Sequence, residues 1–153
     1  MDLYLIRHML ATLAFRTQHA LRGAPDNYPD FKAGNDTLTP TQIINHMADI
    51  AVASGEYYRG HKYELPEPVP YRQAIERFHT GLANLDHTLA ESKQPDDALI
   101  LQFYQGPWLD MMTHVGQLML LRRLAGPPVK TEPYSKSDIK VGHLGPDQPL
   151  ETA

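Results

Sequence analysis

Hydrophobic side chains recur every three or four positions over most of the first four-fifths of the chain. This spacing places them on one face of an α-helix, and it holds in four long segments: residues 2–22, about 39–58, about 70–92 and about 107–124. The fourth segment is apolar on nearly every side, which is typical of the most buried helix in a bundle. The pattern therefore predicts an all-α protein.

Residues with strong conformational preferences mark the ends of these segments. Thr39, Pro40 and Gln42 supply a hydroxyl at the N-cap, a proline at the first helical position and a glutamine at the third. Gly23 ends the first segment, and the run AGPP at residues 125–128 ends the fourth. These signals make the second segment the most clearly bounded helix.

The stretches between the helical segments differ in composition. Residues 24–38 are rich in Pro, Asp, Asn and Gly and predict a long surface connection. Residues 60–69 contain Pro66 and Pro68, cannot be helical, and are long enough for the flanking helices to run parallel. Residues 96–105 fit either a short helix or an extended piece.

We therefore predict a four-helix bundle over residues 1–126 and an irregular, Pro- and Gly-rich tail over residues 127–153. Ile139, Val141 and Leu144 are expected to hold part of this tail against the bundle. The sequence shows no internal repeat and no low-complexity tract.

Composition and charge exclude several classes of function. The chain has 153 residues, a net charge of −4 and no cysteine, which excludes disulfides, thiolate nucleophiles and cysteine-ligated metal clusters. The acidic balance argues against a nucleic-acid partner, and no apolar run is long enough to span a membrane. The N-terminus has none of the features of a secretory signal, so we expect a cytoplasmic protein.

Three polar residues fall on the apolar faces of the predicted helices, where they are expected to be buried, and they suggest a metal site in the core of the bundle. His46 shares a face with Ile43 and Ile50, and Asp110 and His114 are one turn apart on the most apolar segment. Imidazole and carboxylate groups are good ligands for first-row divalent ions, and three protein ligands leave an open position for water or substrate. An Asp/His pair at this spacing could equally be a buried hydrogen bond with a structural role.

The other histidines give weaker signals. Glu76 and His79 have the spacing of a di-iron motif, but without a second copy we expect them on a solvated face.

The first helix has an apolar flank of Tyr4, Ala11 and Phe15, which makes a homodimer contact reasonable.

The segment GPWLDMMTHVGQL, residues 106–118, resembles the H-x-x-x-H-x-G-Q signature of the DinB/YfiT-like superfamily of metalloenzymes. Residues 39–49 resemble that family's second helix. The resemblance extends helix by helix over essentially the whole chain. It implies a bundle of up-down-down-up topology, frequent homodimers, and a divalent metal, usually zinc or nickel, held by three histidines.

Carried over by position, the resemblance makes His46, Asp110 and His114 the metal ligands. Asp110 stands where the family usually has a histidine, and this carboxylate extends the metals to be considered to manganese and iron. Gln117, one turn after His114 on the same helix, is expected either to orient a metal ligand or to face the substrate.

Family members with assigned activities are thiol-dependent, which implies a small-molecule substrate and a low-molecular-weight thiol such as bacillithiol or mycothiol. The leading hypothesis is a metal-dependent thiol transferase or hydrolase. The alternative is a non-catalytic, stress-associated binding or interaction bundle in which the His/Asp cluster is structural. A ferritin-like di-iron bundle would need paired carboxylate-rich motifs, which this sequence lacks.

Overall fold

Local capping interactions set where the helices begin. In a computed structural model, which describes residues 1–152, the Asp2 carboxylate accepts a hydrogen bond from the Tyr4 amide, and Thr39 and Gln42 form both halves of the predicted capping box. The side chain of Asp96 caps the helix that follows it. The resulting helices are α1 Leu3–Leu21, α2 Pro40–Tyr58, α3 Tyr71–Glu91, α4 Asp97–Phe103 and α5 Leu109–Ala125.

Side-chain contacts show that α2 and α3 are parallel. Near the beginning of both helices, the Asn45 amide donates to the Val69 carbonyl at 2.9 Å, and at their far ends the Tyr58 and Ser92 hydroxyls are 2.8 Å apart. The extended connection between the helices therefore crosses the length of the bundle, as the prolines predicted.

The outer helices run the opposite way. Arg7, near the beginning of α1, is paired with Asp86, near the end of α3, whereas Arg122 near the end of α5 reaches the Ala20 carbonyl at the end of α1. The four long helices thus form an all-α bundle of up-down-down-up topology. The fold predicted from the sequence is confirmed, and the described residues contain no β-strand.

The core lies between the four long helices. Its largest fully buried side chains include Trp108, Tyr28, Phe15, Phe78, Leu10, Leu13, Ile43, Ile44, Met47, Leu82 and Leu85. The prediction that the fourth long helix is the most buried is wrong. Helix α5 buries Met111, Val115, Leu118 and Leu121, but Leu109, Leu120 and Leu124 on its other sides are exposed, because α5 packs mainly on α1 and α2 and no other helix covers its outer face.

The ambiguous segment before α5 is helical, with a local widening. Helix α4 passes into a single π-helical turn, Tyr104–Trp108, in which Gly106 departs from helical geometry and Pro107 has no amide hydrogen to donate. This turn directs the fully buried Trp108 into the core, where its Nε1–H donates to Ser54 Oγ on α2 at 3.0 Å.

The tail packs back on the bundle, as its apolar residues predicted. Leu144 is buried, and the backbone of Gln148 exchanges two hydrogen bonds with the Gln18 side chain on α1. The imidazole of His19 is buried between the Tyr134 hydroxyl, at 2.6 Å, and the Lys130 carbonyl, at 2.8 Å.

Two sequence interpretations are corrected by this packing. Tyr4, Ala11 and Phe15 were expected to form an apolar flank open to a partner subunit. Tyr4 is exposed, but Ala11 and Phe15 are fully buried, and Phe15 meets the ring of Tyr134 edge-on. His79 was expected on a solvated face, but it is 95 % buried because the tail covers it. Long-range contacts with the tail, which helical periodicity does not encode, explain the burial of Phe15 and His79.

Arg122 provides a test of how α5 is joined to α1. Its guanidinium is buried and donates to the carbonyls of Ala20, Arg22 and Gly23, which the end of α1 leaves without helical partners. We expect Arg122→Met to lower the free energy of unfolding by about 2–4 kcal/mol, because the carbonyls lose their donors. Arg123→Met, at the exposed neighbouring position, should change it by less than about 0.5 kcal/mol in the same urea titration. Equal effects of the two substitutions would contradict this role.

His79 provides a test of how the tail is held. Its Nδ1–H donates to the Leu144 carbonyl at 2.6 Å, and its buried Nε2 has no partner. Burial is the largest influence and lowers the pKa of His79, against smaller opposing contributions from the Leu144 carbonyl and Asp147. At His79 the unfolded chain therefore takes up a proton more readily than the folded protein does. The free energy of unfolding should consequently fall as the pH drops from about 7.5 to about 5.

The variant His79→Asn keeps a donor close to the position of Nδ1 but does not titrate. We expect its free energy of unfolding to fall less on acidification than that of the unchanged protein. His87→Asn, at a side chain that is 71 % exposed, is the control and should leave the acid dependence unchanged. An unaltered acid dependence in His79→Asn would show that other groups cause it.

Candidate metal centre

The candidate site lies where α2 and the beginning of α5 pack against each other in antiparallel orientation. Asp110 is in the first turn of α5, immediately after the π-helical turn that buries Trp108. His114 follows one turn later on the same face, and His46 faces both from α2. The structure therefore brings together the three residues that the sequence suggested as ligands.

One carboxylate oxygen is central to the cluster. Oδ2 of Asp110 lies 3.2 Å from Nε2 of His114 and 3.4 Å from Nε2 of His46. The two imidazole rings are perpendicular, with centroids 5.0 Å apart. One ligand atom from each residue lies within 4.8 Å of the others, so the group could hold a metal ion.

The separations fit a small divalent ion. Bonds of about 2.0–2.2 Å at the tetrahedral angle put two ligand atoms about 3.3–3.6 Å apart, close to both separations from the Asp110 oxygen. The third edge of the cluster, between the ligand nitrogens of the two imidazoles, is no longer than 4.8 Å.

Gln117 orients the ring of His114. Its Oε1 lies 2.8 Å from Nδ1 of His114, and because an amide oxygen can only accept, Nδ1 carries the hydrogen. In the neutral ring, Nε2 then presents its lone pair toward the Asp110 carboxylate. A cation placed between acceptors that face each other in this way satisfies both, so the donor set fits a divalent metal.

The cluster is at the surface, not in the bundle core. The side chains of His46 and Asp110 are 48 % and 47 % exposed, and that of His114 is 13 % exposed. The expectation that all three lie on buried stripes is wrong, because His46 is about 100° round the helix from the fully buried Met47 and so sits at the edge of its stripe. The exposed side leaves room for a further ligand from solution.

A groove of about 400 Å³ begins at His114 and Gln117 and continues along α5. Its opposite wall is the connection between α1 and α2, whose composition predicted only a surface loop. The run Gly34, Asn35 and Asp36 was the available signal, since these residue types tolerate the positive φ angles found at all three positions. The remaining lining residues are Ala33, Thr37, Leu38, Ile43, Leu120, Leu121 and Leu124.

Within residues 1–152, no second group of three histidine or acidic side chains converges in this way. His61 and His87 each pair with a single glutamate, and His79 and His19 are held by the tail. The same described residues contain no helix that is both long and apolar enough to cross a membrane.

Comparisons with protein-family models, with curated proteins and with solved structures gave no match for this chain. The likeness to the DinB/YfiT-like superfamily therefore remains a prediction from the residues of α2 and α5.

Proposed function

We propose that this protein is a divalent-metal-dependent enzyme of the DinB/YfiT-like kind, in which His46, Asp110 and His114 hold the ion. The observation that carries the proposal is the convergence of two imidazole nitrogens on one carboxylate oxygen, at 3.2 and 3.4 Å, at an accessible surface. Zinc and nickel suit two imidazoles best, and the carboxylate also admits manganese or iron.

Each residue of the cluster has a distinct part in this proposal. His46 and His114 contribute neutral nitrogens from opposite helices, so the ion would join α2 to α5. Asp110 contributes a negative charge that offsets part of the charge of the ion. Gln117 accepts the Nδ1 hydrogen of His114 and keeps Nε2 directed at the site.

An ion with an open position supplies Lewis acidity, which makes a thiol or a water at that position a stronger acid. The exposed side of His46 and Asp110 gives such a molecule access. Because the chain has no cysteine, thiol chemistry would use a low-molecular-weight thiol from solution. The reaction class is thus thiol transfer to an electrophile, or hydrolysis.

The exposure of the cluster favours this proposal over a structural role. Polar groups that stabilise a bundle are normally buried and fully hydrogen-bonded, as Trp108 and Ser54 are here. An exposed ion pair contributes at most about 1 kcal/mol. The alternative is a non-catalytic binding bundle, and it would remain if the protein binds no metal.

The purified, untagged protein should contain one of the four metals at close to one ion per chain by elemental analysis. His46→Ala and His114→Ala should each lose most of it, because two remaining ligands hold a divalent ion weakly. The matched control is His87→Ala, which removes an exposed histidine that, like His114, has an acidic neighbour one helical turn away. This control should retain its metal.

Absence of metal from the unchanged protein, with no uptake of added zinc, nickel, manganese or iron, would contradict the proposal. Retention of metal by both ligand variants would contradict the assigned site. Thermal unfolding of each variant, measured without metal, separates loss of the site from loss of the fold.

Gln117→Ala tests the orientation of His114. We expect the affinity for zinc to fall by about 10–100-fold, because the ring loses the acceptor that fixes its hydrogen on Nδ1. Gln117→Glu should restore most of the affinity, since a carboxylate accepts the same hydrogen bond. Gln102→Ala, on the exposed face of α4, is the control for the loss of an amide. Competition with a chromophoric chelator measures the affinities, and an unchanged value in Gln117→Ala would count against the orienting role.

A further inference from the structure

The groove beside the cluster has an apolar wall that the bundle leaves uncovered. His114, Gln117, Leu120, Leu121 and Leu124 follow one another at helical spacing along one side of α5, over a length of about 15 Å. Two of these leucines are solvent-exposed, Leu120 at 57 % and Leu124 at 54 %. Across the groove, Leu38 is 45 % exposed and Ile43 forms part of the floor.

The charges on the groove lining are of one sign. Asp36 is the single acidic residue of the lining, and among these described residues there is no lysine or arginine. A carboxylate or phosphate group placed beside Asp36 would therefore meet a like charge, with no lysine or arginine in the lining to offset it. An uncharged ligand would meet no such repulsion, and a cationic one would be attracted.

The backbone holds Asp36 in place. Asp36 has a φ of 57°, and it follows Asn35 at 49° and Gly34 at 93°. The turn is closed by a hydrogen bond of 3.0 Å from the Thr37 amide to the Gly34 carbonyl. The next residue but one is Thr39, which caps α2, so the charged side of the groove is attached directly to the helix that carries His46.

We infer that this groove binds the substrate, and that the part of the substrate held beside Asp36 is apolar and either uncharged or cationic. The apolar part lies along Leu120, Leu121 and Leu124, and the reacting end lies at His114. A volume of about 400 Å³ is in the range of small-molecule sites. The inference rests on the proposed function only in treating groove and cluster as one site.

The test uses three probes with the same six-carbon chain: 1-hexylamine, 1-hexanol and hexanoate. Their binding is followed by leucine methyl resonances of the full chain, treated with a chelator so that no metal can recruit hexanoate. We expect hexylamine and hexanol to shift the methyls of Leu120, Leu121 and Leu124. Hexanoate should bind roughly tenfold more weakly than hexylamine, the preference expected for one nearby charge in water.

Two variants identify the groups responsible. Asp36→Asn should abolish the preference for hexylamine over hexanoate and leave the affinity for hexanol unchanged. Asp30→Asn, an exposed aspartate of the same connection outside the groove lining, should have no effect. Leu120→Gln should weaken the binding of hexanol, whereas Leu5→Gln, at an exposed leucine of α1, should not.

Equal affinities for hexanoate and hexylamine, or shifts confined to other leucines such as Leu5 and Leu101, would overturn the inference. So would the absence of binding by all three probes. Because the probes are tested on metal-free protein, the result does not depend on the metal. Probe binding without metal uptake would contradict the proposed function alone, and metal uptake without probe binding would contradict this inference alone.

Discussion

The buried hydrogen bond from Trp108 to Ser54 sets the position of α5 against α2, and the candidate site depends on that position. Trp108 enters the core because Pro107 and Gly106 interrupt regular helix just before α5 begins. Asp110 and His114 then occupy the first turns of α5, opposite His46. A shift of α5 by one residue would rotate both ligands by about 100° and separate them from His46.

The same arrangement explains why the cluster is accessible. Helix α2 buries Ile43, Met47 and Ala51, and His46 lies at the edge of this buried face. The first turn of α5 likewise buries Met111 and leaves Asp110 partly in solvent. A metal bound there would add a link between two helices that already pack through their core, and it would remain open to molecules from solution.

Local sequence signals were sufficient to predict the four long helices and the three residues that form the cluster. The Thr39–Gln42 capping box, the prolines of residues 60–69 and the helical periodicity predicted elements that the structure contains. Exposure was harder to predict, because periodicity gives the centre of a buried stripe but not how far the neighbouring helices cover its edges. The burial of His79 and Phe15 depends on a tail that folds back over the bundle. The place of Asp36 in the groove depends on a loop that is distant from α5 in sequence but lies opposite it in the folded protein.

X-ray absorption spectroscopy of the protein loaded with zinc tests the central claim most directly. The account predicts a first coordination shell of nitrogen and oxygen atoms at about 2.0–2.1 Å, with the outer-shell scattering of two imidazole rings, which falls to one ring in His46→Ala. Scattering from fewer than two imidazoles in the unchanged protein, or an identical spectrum in His46→Ala, would show that zinc binds elsewhere and would contradict the assignment.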